Sequence, residues 1–330
     1  IYNAANILHM IIYPRFKIYF LGARRFLSLF KALFKLRKII KIENPDILHC
    51  FLFHSNILGR FAAIGYGCKV IVSVRNKLIF KKFGNFLDKI TQGLVDLYLV
   101  NSNTLGNFIY DYGIKKEKIV LIENGVDFEN FKSKQPIHKI KKELELPDLP
   151  IITTIANYRK QKDYPTLIRA IAYLQKEMDF YFLAIGSRIK YDDEKHRIQI
   201  LIENLKLKNV KLLDFREDIP EILSVTDVWV SSTLFEGQSN SLLEAMFMKK
   251  PIVTTNIPEN SEVVRNEHEA LLVPIKSPKM LAKAIKRILN DNQLAEKLAN
   301  NAYERVKKKY NINISLNKLK NLYSSLIIYK

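Results

Sequence analysis

The sequence reads as an α/β protein built on two doubly wound parallel sheets. Short β-branched runs alternate with helical patterns nearly from end to end, which is βαβ repetition. Most of these runs are apolar without strict alternation, as expected of strands buried on both faces. The 330 residues suffice for two domains, each with its own core.

In chain order, the first set of strands is expected at 46–50, 69–74, 96–101 and 118–122, with helices at 55–66 and 103–112. A polar, basic stretch with three prolines near 128–149, "FENFKSKQPIHKIKKELELPDLP", interrupts the pattern and serves as the linker. A second set follows at 150–156, 179–186, 209–213, 227–231, 250–254 and 270–273, with helices at 164–178, 194–206, 239–248 and 278–290. Residues 293–330 read as consecutive helices. The domains are therefore 1–135 and 136–310, with a terminal helix over 311–330. In open parallel sheets ligands bind beyond the carboxyl ends of the strands, so the cleft between two such sheets is the default site.

Composition narrows the partners. The chain holds 53 Lys and Arg against 33 Asp and Glu, a net charge of +20, which favours anionic partners such as phosphorylated substrates, nucleic acid or an anionic membrane. Two cysteines, Cys50 and Cys68, argue against a disulfide scaffold and for a reducing, cytoplasmic setting. No apolar run approaches the roughly 18–20 residues that span a bilayer. Nine basic residues (Arg15, Lys17, Arg24, Arg25, Lys31, Lys35, Arg37, Lys38 and Lys41) and no acidic one fall between Arg15 and Lys41. Over 23–42, helical spacing places Phe26, Leu29, Phe30, Leu33, Phe34, Leu36 and Ile40 on one stripe and Lys31, Lys35 and Lys38 on another. Core packing is the commoner fate of such a stripe; docking on an anionic membrane, which would place the protein at its inner face, is the alternative.

Two stretches carry chemistry. In "STLFEGQSNSLLEAMFMKKPIVTT", residues 232–255, a strand end is followed by Glu236, a turn through Gly237, and a helix containing Glu244. The free N–H groups and dipole at that helix start suit a phosphate, while the two carboxylates suit sugar hydroxyls. Together they match a nucleotide-sugar. Ser241-x-x-Glu244 also fits a capping box, which would give Glu244 a structural role instead. In "TTIANYRKQKDYPTLIRAI", residues 153–171, the loop carries Arg159, Lys160 and Lys162 at another strand's carboxyl end, adding cations to the same cleft.

With these segments the chain resembles the retaining GT-B glycosyltransferases of group 1. "PDILHCFLFHSNILGRFAA", "KVIVSVRN", "LVNSNTLGNFI", "KIVLIENGVDFENF" and "KPIVTTNIPENSEVV" extend the resemblance over nearly the whole chain. The resemblance implies two Rossmann-like domains facing a cleft, the first on the acceptor side and the second binding the donor, with the terminal helix packing back towards the first. It implies that Glu236 faces the donor sugar and that Gly237, Gln238 and Ser239 meet its hydroxyls or the diphosphate, with Asn240 in the same turn. Glu244 would hold the ribose, and Lys162 the diphosphate.

The chain departs from the family pattern in three places. Asn157 stands where the family carries an arginine, leaving Arg159 to supply that charge; Arg75 stands where many members carry a histidine, with His54 as the other first-domain candidate; and no glycine-rich loop precedes residue 46, so the first strand-helix unit is expected to be missing. The family chemistry is a front-face transfer, with the departing diphosphate stabilised by cations and a helix terminus rather than by the flanking nucleophile of retaining hydrolases. No cofactor and no metal are implied, since the nucleotide-sugar is a co-substrate. Expected acceptors are glycans or lipid-linked glycans of envelope polysaccharide, lipopolysaccharide or glycolipid synthesis. A non-catalytic binder of membranes or nucleic acid and a GT-B nucleotide-sugar epimerase are the competing readings; the chain lacks the aromatic-basic, zinc and helix-turn-helix signatures of nucleic-acid binders.

Overall fold

The computed structural model describes residues 17–22, 26–76, 82–187 and 193–327, with residues 26–27 and 82–85 described by backbone alone. Arg15, Arg24, Arg25 and the side chain of Phe26 lie outside the described set.

The first domain opens with α1 (Phe26–Glu43). It continues through β1 (Ile47–Phe51), α2 (Phe53–Ala63), β2 (Lys69–Val74), α3 (Lys82–Thr91), β3 (Leu97–Val100), α4 (Asn103–Asp111) and β4 (Ile119–Leu121). Its four strands are parallel and adjacent in chain order, with Ile47 opposite Lys69, Ile71 opposite Leu97 and Tyr98 opposite Ile119. Right-handed crossovers that always step the same way put their helices on one face of the sheet. Val70, Val72, Val74, Tyr98 and Val100 pack there against Leu105 and Ile109 of α4. Ile71 and Leu99 point to the other face because strand side chains alternate. That face is covered from the far end of the chain by Leu319, Leu322, Tyr323 and Leu326. These four belong to the last helix, α13 (Ile312–Ile327). Among the described residues the first sheet therefore steps in one direction.

The second domain carries the reversal. It runs α5 (Ile137–Glu143), β5 (Ile151–Ile155), α6 (Tyr164–Leu174), β6 (Tyr181–Ile185), α7 (Glu194–Asn204), β7 (Val210–Leu213), α8 (Ile219–Ser224), β8 (Val228–Val230) and α9 (Asn240–Phe247). It ends with β9 (Ile252–Thr255), α10 (Pro258–Val263), β10 (Leu271–Val273), α11 (Pro278–Asn290) and α12 (Asn292–Lys309). The strand order is β10-β9-β8-β5-β6-β7, all parallel. Winding turns round between β5 and β8, which opens a crevice at their carboxyl ends. Helices cover both faces, as shown by α6 and α11 packing on one core cluster and α9 and α12 on another. The stretch read as linker is partly structured, since Ile140 of α5 and Leu144 pack against Ile151, Leu183 and Ile185.

The domains are joined at Asn124–Asp127. Val126 N–H donates to the Tyr310 carbonyl at 2.9 Å, and Ile312 N–H returns to the Val126 carbonyl at 3.0 Å. Gly125 is required there, because a Cβ would stand 2.6 Å from the backbone of Ile312. Elsewhere Glu262, on α10, receives the N–H groups of Asn103 and Thr104 at 2.8 and 2.6 Å, so a second-domain carboxylate meets the positive end of α4.

Helix α1 differs from its expected stripe. Ala32 and Ile40 are buried, but Phe30 and Phe34 are exposed at 58% and 71%, on the same face as Lys31, Lys35, Lys38 and Lys41. Arg37 turns the other way, donating to the carbonyls of Phe61, Ala62 and Ile64 at the end of α2.

Candidate functional site

At the switch point the β5–α6 and β8–α9 loops face each other across a cavity of about 440 Å3. Lys162, Glu236, Gln238, Ser239, Asn240 and Glu244 all line it. The sequence thus placed its two chemical stretches on loops that do converge.

The β5–α6 loop narrows to a 3-10 turn over Lys160–Lys162, which buries Gln161 and leans Lys162 into the cavity. Lys162 forms an ion pair with Glu236. The same Glu236 oxygen accepts from Thr233 Oγ1 at 3.2 Å, and the other accepts from Gln161 Nε2 at 3.2 Å. Three donors on two loops therefore fix the carboxylate. Ser232 Oγ, bonded to the Lys162 and Asp163 carbonyls at 2.8 and 3.0 Å, binds the loops together below it.

Glu236 is followed by Gly237, where the chain passes against the first domain. A Cβ here would collide with the Arg75 carbonyl oxygen and come within 2.8 Å of Asn101 Oδ1. Helix α9 then begins at Ser239, whose hydroxyl accepts from Leu242 N–H at 3.4 Å. The cap is thus Ser239, and the Ser241–Glu244 capping box is not formed: Glu244 lies too far along the helix to close its start. Its carboxyl group lines the cavity instead, and burial pushes it up to about 7. No side chain or backbone group of the described residues is recorded hydrogen-bonding to that carboxyl, in contrast to Glu236.

The remaining predicted residues lie further out. Arg159 is exposed beside the turn and does not line the cavity. Asn157 does, its Oδ1 accepting from Ser187 N–H at 3.1 Å. Arg75 stands behind the β8–α9 loop, and its half-buried guanidinium donates to Asn124 Oδ1 at 2.7 Å and lies 5.9 Å over the Phe51 ring. Burial lowers its pKa from the ordinary arginine value. His54 is exposed in the first turn of α2, edge-on to Phe53, and is not part of the cavity wall.

Sequence reasoning missed several contributors. Asn124 N–H donates to Gln238 Oε1 at 2.5 Å and its side-chain amide to Asn240 Oδ1 at 2.8 Å, contacts that nothing in the "NGVD" stretch signals. Arg216, at the end of β7, lines the cavity but is held by Asp218 through bonds of 2.7 and 2.5 Å. A basic residue just past a strand was the signal used for Lys162, and it would have found Arg216 too. His49, not singled out, is clamped between Tyr323 OH at 2.5 Å and Ser73 Oγ at 2.8 Å, and burial beside Arg75 pushes it down to about 4.

The arrangement can hold a compact anion between Lys162 and the α9 N-terminus, with polyhydroxyl groups on either side. Among the described residues, no three or more His, Cys, Asp or Glu stand together as a metal cluster, and no helix is long and apolar enough to cross a membrane.

Known proteins share this architecture. Glycosyl transferases group 1 matches residues 136–305, and Glycosyltransferase Family 4 matches residues 4–130. The UDP-Gal:alpha-D-GlcNAc-diphosphoundecaprenol alpha-1,3-galactosyltransferase of Escherichia coli is 28% identical over 91% of this chain and 80% of its own length. The N,N'-diacetylbacillosaminyl-diphospho-undecaprenol alpha-1,3-N-acetylgalactosaminyltransferase of Campylobacter jejuni is 27% identical over 90% of this chain and 81% of its own. Among solved structures, a glycosyltransferase from Rickettsia africae superposes with a TM-score of 0.80 at 23% identity, covering 94% of this chain and 84% of that one. Anabaena HepE in complex with UDP-glucose gives 0.80 at 19% identity, covering 88% and 82%. The two facing parallel sheets are those of the GT-B fold.

Proposed function

Because the chain belongs to the glycosyl transferases group 1 family, we propose that it moves a hexose-type sugar from a nucleotide-sugar to a lipid-linked or glycan acceptor, with retention of anomeric configuration and without a metal. The observation that carries this reading is the cavity at the β5/β8 switch point, where a lysine–glutamate pair, a helix N-terminus and the unpartnered carboxyl of Glu244 meet. In it, Lys162 exchanges Glu236 for the donor diphosphate, and the backbone of Gly237, Gln238 and Ser239 meets the phosphates or the sugar. Asn240 borders the same turn. Glu236, freed on one oxygen, accepts from a sugar hydroxyl, and Glu244 accepts from the ribose. The leaving diphosphate gains its charge beside Lys162 and the α9 terminus, which stabilise it in the transition state. Arg75 and His54 stand on the acceptor side. Arg159 supplies further positive charge at the entrance.

The names of the relatives support UDP as the nucleotide and a diphosphate-linked polyprenol as the acceptor carrier. The test supplies UDP-glucose, UDP-galactose and their N-acetylated analogues together with synthetic polyprenyl-diphosphate sugars. Transfer with retained α-configuration is the expected result. Epimerised free nucleotide-sugar without transfer would identify an epimerase, and failure to bind any nucleotide would leave a non-catalytic binder.

We further propose that α1 seats the enzyme on an anionic bilayer, at the cytoplasmic face where lipid-linked acceptors are presented. Its outer face combines Phe30 and Phe34 with Lys31, Lys35, Lys38 and Lys41. Such a face suits the headgroup region, where each cation contributes about 1 kcal/mol within a Debye length. Sedimentation with anionic vesicles at low salt, weakened by Phe34→Ser and by high salt, is expected. Equal binding to neutral and anionic vesicles, or none to either, contradicts it.

A further inference from the structure

Gln161 precedes the diphosphate-facing Lys162, yet its side chain points the other way and is almost entirely buried. Every polar atom of that amide is used. Nε2 donates to the Phe235 carbonyl at 2.6 Å and to Glu236 Oε2 at 3.2 Å, and Oε1 accepts from Asn76 Nδ2 at 3.2 Å. Its backbone carbonyl also receives Leu234 N–H at 2.9 Å and Thr233 Oγ1 at 3.2 Å. Residues 233–236 therefore rest on one glutamine. Asn76 belongs to the first domain, just past the end of β2 and next to Arg75, whose carbonyl Gly237 touches.

These bonds divide the work at Glu236. Lys162 holds one oxygen with a charge that a diphosphate would claim, whereas Gln161 holds the other with a neutral donor that has no competing anion. A carboxylate that loses its lysine keeps the Thr233 hydroxyl on one oxygen, and on the other its direction is held by the glutamine. The glutamine's own orientation is fixed in turn by Asn76, which is within reach only while the first domain lies against the loop. We infer that Gln161 is a positioning residue that aims Glu236 at the donor sugar and, through Asn76, ties that aim to the docking of the first domain.

This rests on the reading of the cavity as a nucleotide-sugar site, and the experiment separates the two. Calorimetry compares UDP with UDP-glucose, UDP-galactose and their N-acetylated analogues, in the wild type and in Gln161→Met, Asn76→Ala and the double variant. Gln161→Met keeps the buried volume and removes the hydrogen bonds, and its melting temperature is followed alongside. UDP affinity is expected to stay within about twofold of wild type, because Lys162, Glu244 and the helix terminus are untouched. The extra affinity that the sugar confers on the wild type is expected to vanish in Gln161→Met. With the cognate acceptor, kcat falls by about 100-fold, the scale of a misplacement near 1 Å. Asn76→Ala shows the same pattern more weakly, and the double variant is no worse than Gln161→Met alone, as for residues acting in one chain of contacts. Gln161→Met with an intact sugar increment, or additive losses in the double variant, overturns the inference. So does a wild type that binds UDP and gains nothing from any sugar. A wild type that binds no UDP overturns the functional reading on which it rests.

Discussion

The two domains bury charge in opposite ways. In the first, Arg60 and Asp88 meet at 2.7 Å with both side chains almost inaccessible, and Thr91 Oγ1 accepts from the same guanidinium at 2.9 Å. In the second, half-buried Glu244 lines the cavity wall with no hydrogen-bond partner for its carboxyl among the described residues, and burial pushes that carboxyl up to about 7. A charge buried with its complement belongs to the core, because the pair offsets its own desolvation. A carboxyl partly buried without one holds its proton to a higher pH, which marks it as a candidate for ligand contact. Sheet winding follows the same division. The second sheet reverses at β5/β8 and so makes a crevice from its own loops; the first, winding one way among the described residues, has no such crevice and takes cover from α13. It reaches the site through the Arg75 carbonyl against Gly237, through the Asn76 amide on Gln161 and through Asn124 on Gln238, with the Arg75 guanidinium holding Asn124 from behind.

The largest expected effect comes from breaking that bracing. Gly237→Ala places a methyl group into the Arg75 carbonyl and must push the loop off the first domain. Transfer activity falls by at least about 100-fold, while the melting temperature of the second domain hardly moves. Retained activity in this variant would mean that the two domains do not need this approach.

Next is Arg60→Ala. Removing one partner of a buried pair costs about 3–5 kcal/mol, and the loss should appear in thermal unfolding rather than in UDP affinity. A selective loss of nucleotide binding would erase the contrast between structural and functional buried charge.

Glu244→Gln sharpens the contrast through pH. The folded-state pKa is raised above the ordinary carboxylate value of 4.5, so the native protein holds this proton more tightly than the unfolded chain. Wild-type stability therefore declines as pH rises from about 4.5 to about 7, and the glutamine variant lacks that decline. On the proposal that ionised Glu244 accepts from the ribose hydroxyls, wild-type UDP affinity is expected to gain over the variant as pH rises through about 7. Comparing the two proteins removes the phosphate's own titration. Parallel pH curves would mean that Glu244 does not touch the nucleotide.

The sequence exposed the strands most clearly. All ten expected runs contain a strand, since buried parallel strands are unbroken apolar segments, and only their ends shifted by a residue or two. Helices α3, α5, α8 and α10 carried too little signal because they are short, and such short helices owe their stability to tertiary packing. On α1 the apolar stripe was drawn too wide: Ala32 faces inward while Phe30 and Phe34 share the lysine face, a distinction that spacing alone does not make. At the site, charged residues on strand-end loops were legible because their chemistry and position both signalled an anion. Gln161 and Asn124 were not, because an amide acquires its role only from what the other domain brings within hydrogen-bond distance.

The central claim is that the donor nucleotide binds the second domain through Lys162. Isothermal titration of UDP into the wild type and into Lys162→Ala tests it most directly. The wild type should bind saturably at one site, and Lys162→Ala should lose that binding with its fold intact, since Thr233 and Gln161 still hold Glu236. UDP affinity unchanged by the substitution would contradict the assignment.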